Sequence, residues 1–222
     1  MIGIILKAGL SYLLGSVIGG LVVGRFRGGV DIRNCGSGNA GGTNALRTQG
    51  PGFAFWVMLI DIGKGWCATA VVAPAALPGA LQSVTGSPLR GWCVAACGIA
   101  VLLGHVYPVW YGFRGGKGVA TLLGAVAGIA PWLLLPMLLT WLVTAVLIGF
   151  VGLASMLAAC ALSLAIVASR LSPRVPLVTF GIVSALLIAF THRTNIARML
   201  AGTEPRARRL WLFGRSSGRG LT

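Results

Sequence analysis

The sequence predicts an all-α polytopic membrane protein of about seven transmembrane helices, with its N-terminus outside and its C-terminus cytoplasmic. Three observations lead there. Of 222 residues, 56% are hydrophobic and 9% charged, whereas a soluble domain carries about 25% charged residues. Mean hydropathy is +0.89, so the chain lacks the polar surface to cover a water-soluble globule and lipid must be its solvent. The charges that remain are 18 Lys and Arg against three Asp and Glu, a net +15, and they sit in loops between apolar stretches.

The elements follow in order. Ile2 to Val23 is apolar but for Lys7 and small polar residues; no Ala-x-Ala cleavage site follows, so it reads as a retained first span rather than a signal peptide. Residues 25–50 are a polar, glycine-rich loop. The second span runs from Phe53 to Leu77 and holds Asp61 and Lys64. A Gly, Ser, Thr and Pro loop, residues 78–89, leads to a third span, Gly91 to Trp110. A basic loop, FRGGKG at 113–118, comes next. From Val119 to Ala168 the chain is almost wholly apolar, and at roughly 20 residues per span this holds two full helices or three short ones. Three are preferred, broken near Pro131 and Pro136 and near Gly149–Gly152. Residues 169–176 are a loop, Leu177 to Thr191 a last short span, and residues 205–222 a basic cytoplasmic tail. That gives seven spans, with five or six as alternatives, in a single domain over 1–222.

Sidedness comes from Lys and Arg. With the N-terminus outside, Arg25, Arg27, Arg33, Arg47, Arg114, Lys117 and the seven arginines from Arg193 onward face the cytoplasm, and Lys7, Arg90, Arg170 and Arg174 lie outside. The acids Asp31, Asp61 and Glu204 are too few for a carboxylate-rich metal centre or a paired-carboxylate hydrolase. Nucleic acid is the usual partner of such a charge, but basic residues confined to loops fit the positive-inside bias and anionic substrates instead. Five cysteines, four of them in apolar runs, read as packing residues. Cys93 and Cys97, one turn apart, are too few for a metal, so neither metal nor cofactor is expected.

Three polar segments share the cytoplasmic face. In GSGNAGGTNALR (36–47), Gly36, Gly38 and Gly41 match G-x-G-x-x-G, but no strand or βαβ unit exists between membrane helices to make a dinucleotide site. Glycines still let backbone N–H groups approach a phosphate; Ser37, Asn39, Thr43 and Asn44 add neutral donors and Arg47 a fixed bidentate cation. In GHVYPVWYGFRGGKGVAT (104–121), Gly115, Gly116 and Gly118 flank Lys117 just before an apolar helix, which favours an anion. Gly118 stands where a Walker A motif needs Ser or Thr, so a simple phosphoester is favoured over a nucleotide. In HRTNIARMLAGTE (192–204), His192, Asn195 and Met199 share a helical face, bordered by Arg198, and Glu204 is expected to neutralise an arginine. Asp61 and Lys64 must pair or line a polar interior, and structural pairing and substrate binding both stay open. His105 is read as structural, and Cys35, with no base beside it, is not read as a nucleophile. Asp31 reads as an exposed acid of ordinary pKa, a poor base for Ser37.

Together these segments resemble the bacterial acyl-phosphate:glycerol-3-phosphate acyltransferases, the PlsY family, over essentially the whole chain. The resemblance implies a compact seven-helix inner-membrane enzyme with a cytoplasmic active site. It implies acyl transfer from acyl phosphate to glycerol 3-phosphate, giving lysophosphatidic acid for phospholipid biosynthesis. Ser37 and Arg47 match the essential pair of its first motif, Gly115, Gly116, Lys117 and Gly118 its phosphate loop, and His192 and Asn195 its last motif, with Glu204 a structural glutamate. The partners expected are acyl phosphate, glycerol 3-phosphate and membrane lipid, with no nucleic acid, and the chain is expected to be a monomer. The rival reading is an anion channel or transporter using the same glycines and cations; the absence of comparable motifs in the outer loops disfavours it.

Overall fold

The structure, a computed structural model, describes residues 1–76, 89–207 and 210–212. Of the predicted 78–89 loop only Leu89 falls among the described residues, and much of the 205–222 tail also lies outside them. The described residues form ten α-helices and no strand.

The first apolar run, expected as one span, is two helices. α1 (Ile2–Gly15) and α2 (Gly19–Phe26) meet at a 44° bend. The intervening Gly15-Ser16-Val17-Ile18-Gly19-Gly20 mixes glycines with β-branched residues, both poor in helix interiors, and Ile18 turns to extended backbone. Backbone groups freed in an apolar medium cost several kcal/mol each unless something other than water takes them. The next long helix takes them. After the short α3 (Gly42–Gln49), α4 (Pro51–Cys67) continues through a π turn at Ala68–Val72. Lys64 Nζ donates to Gly15 O at 2.9 Å and Val17 O at 2.7 Å, while Asp61 Oδ1 accepts from Gly19 N–H at 3.1 Å. The two charges pair at 2.9 Å, both buried. The structure shows the pairing, and Asp61 also borders the cavity described below.

α5 (Arg90–Val106), followed by a 3-10 turn at Val109–Tyr111, packs along α1, and α6 (Val119–Ile129) packs along α4. Small residues set both distances, as between membrane helices generally. A Cβ on Gly104 would strike the Tyr12 carbonyl, and one on Gly124 the Ile62 carbonyl.

The 119–168 stretch divides into three helices, as expected. Pro131 lacks an N–H and holds Ala130 extended at φ −159°, which ends α6. A 3-10 turn, Pro131–Leu133, leads into α7 (Leu134–Leu147), and Gly149 at φ +86° separates it from α8 (Val151–Ala168). α9 (Arg174–Thr191) and α10 (Arg193–Leu200) follow. Leu102, Leu122, Leu133, Leu162, Phe180 and Ile188 are buried where α5, α6, α8 and α9 meet, while Leu135, Leu164 and Leu186 stand exposed, as lipid contact requires.

All the predicted apolar segments are helical, but they differ in length. Pro51–Val72, Arg90–Tyr111, Val151–Ala168 and Arg174–Thr191 are long and apolar enough to cross a membrane, and the bent α1–α2 pair makes a fifth. Val119–Ile129 and Pro131–Leu147 are shorter. Lys7 is buried in α1, its Nζ donating to Ala73 O at 2.8 Å.

After α10 the chain folds back onto the α7–α8 junction. Ala207 N–H donates to Gly149 O at 2.8 Å and Trp211 Nε1 to Leu147 O at 3.3 Å. The Arg206 guanidinium lies 5.0 Å from the Phe150 ring centroid and 4.1 Å from that of Trp211.

Replacing Gly124 by Leu should force α4 and α6 apart and cost about 1–3 kcal/mol, the usual range for overpacking. Thermal unfolding in detergent checks this, and an unchanged midpoint would show that the contact does not set the helix spacing.

Candidate active site

The first polar loop, expected to lack regular structure from 25 to 50, is organised by two side chains. Asp31 caps a 3-10 turn at Ile32–Asn34 by accepting from Arg33 N–H at 2.9 Å. It also chelates the Arg33 guanidinium, which in turn donates to Tyr111 O at 3.2 Å and Arg114 O at 3.0 Å. Arg33 thereby ties the first loop to the second. Its hydrogen bonds hold the Asp31 carboxyl below the usual range, so Asp31 is an ion-paired capping group rather than an ordinary exposed acid, and a still poorer base.

Asn44, on α3, is buried. Its amide donates to Ile32 O, Cys35 O and Asn39 O at 2.9–3.0 Å, and its Oδ1 accepts from Ser37 N–H at 2.9 Å. Its side chain therefore holds the loop in shape. Ser37 and Arg47 are exposed, and no hydrogen bond or ion pair engages either side chain among the described residues.

In the second loop, the expectation that the Gly115 and Gly116 amides face an anion needs correction. They donate to Val106 O and His105 O, each at 3.1 Å. The amides left open are those of the first turn of α6, which begins after Gly118 at φ +87°. A helix start leaves its first amides without intrahelical partners and carries the positive end of the dipole. Gly115 and Gly116 are needed for closeness instead, because a Cβ on either would meet His105.

The α9–α10 junction supplies the third wall. Lys117 Nζ donates to Asn195 Oδ1, Asn195 Nδ2 to Glu204 Oε1 at 2.6 Å, and Arg198 Nε to Glu204 Oε2 at 2.7 Å. Glu204 neutralises Arg198, as expected. Thr191 Oγ1 donates to Lys117 O at 3.1 Å, fixing the lysine's backbone. Burial, then the Arg198 charge, brings the Lys117 pKa down to about 8. His192 donates from Nδ1 to Ile188 O at 2.8 Å. Burial, then Lys117, lowers its pKa to about 4. It is neutral at pH 7, with Nε2 left as an acceptor. Arg193, its neighbour in sequence, turns away, its guanidinium 4.5 Å from the Phe190 ring centroid.

These walls enclose a cavity of about 520 Å³. Gly36, Ser37, Asn39, Gly41, Thr43, Asn44, Arg47, Lys117, Gly118, His192 and Asn195 line it, while Gly38, Gly115 and Gly116, also expected there, are not among its lining residues. The sequence reading missed Ser155, Leu138 and Trp141, which also line it. They lie in an apolar run where nothing distinguishes a cavity wall from a lipid face. Asp61 and His105 close its floor, and Glu204, Pro205 and Ala207 its tail side.

The profile of the family described as glycerol-3-phosphate acyltransferase matches residues 5–202. A glycerol-3-phosphate acyltransferase of Synechococcus sp. is 41% identical over 202 residues, covering 91% of this chain and 94% of its own. That of Cereibacter sphaeroides is 40% identical over 206 residues, covering 93% and 90%. Among solved structures, the chain is similar to the crystal structure of PlsY (YgiH), an integral membrane glycerol 3-phosphate acyltransferase. With its glycerol 3-phosphate form the TM-score is 0.77 at 34% identity, covering 91% of this chain and 94% of that one. With its lysophosphatidic acid form it is 0.76 at 33%.

A phosphate monoester held by Lys117 should bind more weakly as pH rises through about 8, because only the ammonium attracts it. The ester, with a second pKa near 6, stays dianionic there, so the alkaline limb belongs to the protein. Lys117→Arg, always charged, should abolish the limb. Affinity titrations from pH 7 to about 9.5 that show no limb in the parent protein would remove Lys117 from the site.

Proposed function

Because the chain belongs to the glycerol-3-phosphate acyltransferase family, we propose that it takes its acyl group from acyl phosphate. The 1-hydroxyl of glycerol 3-phosphate accepts it, giving lysophosphatidic acid and inorganic phosphate. The observation that carries this reading is the meeting of Arg47, Lys117 and the open α6 amides in one cavity whose only acid among the described residues outside the floor, Glu204, is committed to Arg198 and Asn195. Such a site has donors for phosphate oxygens and no spare carboxylate to repel them. Leu123, Leu138 and Trp141 give the same cavity an apolar side suited to an acyl chain.

The phosphate of acyl phosphate sits in the 36–47 loop with Ser37 and Arg47, and glycerol 3-phosphate against Lys117 and the 115–118 loop. The 1-hydroxyl oxygen attacks the acyl carbonyl carbon. The new ester C–O bond forms, the C–O bond to phosphate breaks, and the hydroxyl proton passes to a phosphate oxygen of the donor. His192 Nε2 accepts a hydrogen bond from the hydroxyl and orients it. With a pKa of about 4 it is too weak a base to hold the proton, and the activated anhydride needs little help. Lys117, Arg47 and the amides stabilise the charge that develops on the leaving phosphate.

A thioester donor is disfavoured because the chain has no His-x4-Asp motif: the fifth residue after His105 is Trp110 and after His192 is Ala197. Purified enzyme should consume palmitoyl phosphate only when glycerol 3-phosphate is present, and leave palmitoyl-CoA untouched. Equal rates with the two donors would refute the donor, and a kinetically competent acyl ester on Ser37, formed without glycerol 3-phosphate, would refute direct transfer.

We propose further that the enzyme is a seven-span monomer of the bacterial inner membrane with its site facing the cytoplasm; the basic loops that surround the cavity support that sidedness. In a cysteine-free background in intact cells, a cysteine at Gly50 should be protected from an impermeant thiol reagent and one at Arg90 labelled. The reverse pattern would invert the active-site face.

A further inference from the structure

Four acceptors surround the buried Lys64 ammonium: Gly15 O at 2.9 Å, Val17 O at 2.7 Å, Asp61 Oδ1 at 2.9 Å and His105 Nδ1 at 2.8 Å. The last of these settles a tautomer. An ammonium only donates, so Nδ1 must offer its lone pair; a proton there would set two donors face to face. Asp61 Oδ1, 3.5 Å from Nδ1, is too distant to hold such a proton in a good hydrogen bond. The imidazole is therefore neutral and carries its proton on Nε2.

Nε2 points the other way, toward the loop that carries Lys117. A Cβ built on Gly116 would run into it, with ring atoms Cε1 and Cδ2 at 3.0 and 3.2 Å. Nε2 has no hydrogen-bond partner among the described residues, and His105, though 2% exposed, is part of the cavity wall. The carbonyl of the same residue holds the Gly116 amide at 3.1 Å. His105 thus shapes the loop through its backbone and offers one unspent N–H at its base. The cluster adds that donor without adding charge: Asp61 offsets Lys64 and the ring is neutral. Lys117 and Arg198 already repel one another across the site, so a neutral donor aids an anion without deepening that repulsion.

We propose that His105 Nε2–H is a further donor to the phosphate group bound at the 115–118 loop, with Asp61 and Lys64 as positioning residues that lock its tautomer. The proposal rests on the reading that this loop holds the phosphate of glycerol 3-phosphate.

Asparagine and glutamine separate the two nitrogens of the ring. His105→Asn keeps an acceptor near the Nδ1 position for Lys64 and loses the distal donor; His105→Gln places an amide N–H near the Nε2 position. In either variant the three Lys64 protons keep Gly15 O, Val17 O and Asp61. Steady-state kinetics of the full-length enzyme in lipid nanodiscs should show the KM for glycerol 3-phosphate raised about tenfold or more in His105→Asn, as loss of a hydrogen bond to a charged group implies. Its kcat and its KM for acyl phosphate should stay close to the parent values, and His105→Gln should recover most of the loss. An equal KM rise in both variants would overturn the proposal, leaving the ring a packing group. An unchanged KM in His105→Asn, beside a raised KM in Lys117→Ala, would overturn it while leaving the loop's phosphate in place. Unchanged KM in both would overturn the loop assignment as well. The tautomer has its own readout in the unmutated protein: 15N-histidine NMR should find the proton on Nε2 in His105 and on Nδ1 in His192. A proton on Nδ1 of His105 would overturn the proposal even if neither variant folds.

Discussion

A helix that breaks inside lipid releases carbonyls and amides that water cannot reach, and much of this fold follows from how they are taken up. Between α1 and α2 the carbonyls of Gly15 and Val17 go to Lys64 and the amide of Gly19 goes to Asp61. These are two charges that insertion scales would otherwise penalise by about 2.5–3.5 kcal/mol each. Neither the break nor the ion pair is tolerable alone; together each removes the other's cost. The consequence is geometric. α4 is pinned to the break, α6 follows α4 and α5 follows α1 across glycine contacts, so the loop between α5 and α6 hangs directly over the ion pair. Arg33 then crosses from the first polar loop to Tyr111 and Arg114 and brings the second basic, glycine-rich segment to the same place.

The site also shows how one carboxylate can serve several cations without cancelling them. Glu204 grips Arg198 with one oxygen and the Asn195 amide with the other, and Asn195 turns its carbonyl to Lys117. An amide between acid and lysine passes on orientation but not charge. Lys117 is held in place with its positive charge largely uncompensated, which is why burial and Arg198 together outweigh Glu204 in setting its pKa. The two histidines follow the same logic in opposite senses. A carbonyl takes the Nδ1 proton of His192 and leaves an acceptor in the cavity, while an ammonium takes the Nδ1 lone pair of His105 and leaves a donor.

What the sequence made legible was what single residues dictate. Pro131 and Gly149 break the long apolar run where their backbone chemistry says they must, and the glycine-rich segments with their cations do converge on one cavity. What stayed hidden depends on partners distant along the chain. Hydropathy registers that Ile2–Val23 belongs in lipid but carries no record of a change in direction, and the residues that make the break tolerable are more than 40 positions away. Asn44 is as polar as Asn39, and only the fold decides that its amide turns back into the loop. Ser155 looks like Ser163, another serine in the same apolar helix; only the packing of α8 against α10 puts it in the wall of the cavity that Asn195 also lines. Span number was hardest to read because hydropathy counts apolar segments, whereas α6, at 11 residues, is shorter than the roughly 20 residues a span ordinarily takes.

The family match ends at Gly202, yet Glu204, Pro205 and Ala207 stand in the cavity wall. They are fastened there by Arg206 between two aromatic rings and by Ala207 on the Gly149 carbonyl. Part of the cavity wall is therefore built from residues beyond the stretch that the family profile matches. Exchanging Pro205 or Ala207 would reshape that side of the cavity without touching the Glu204 carboxylate that holds Asn195 and Arg198.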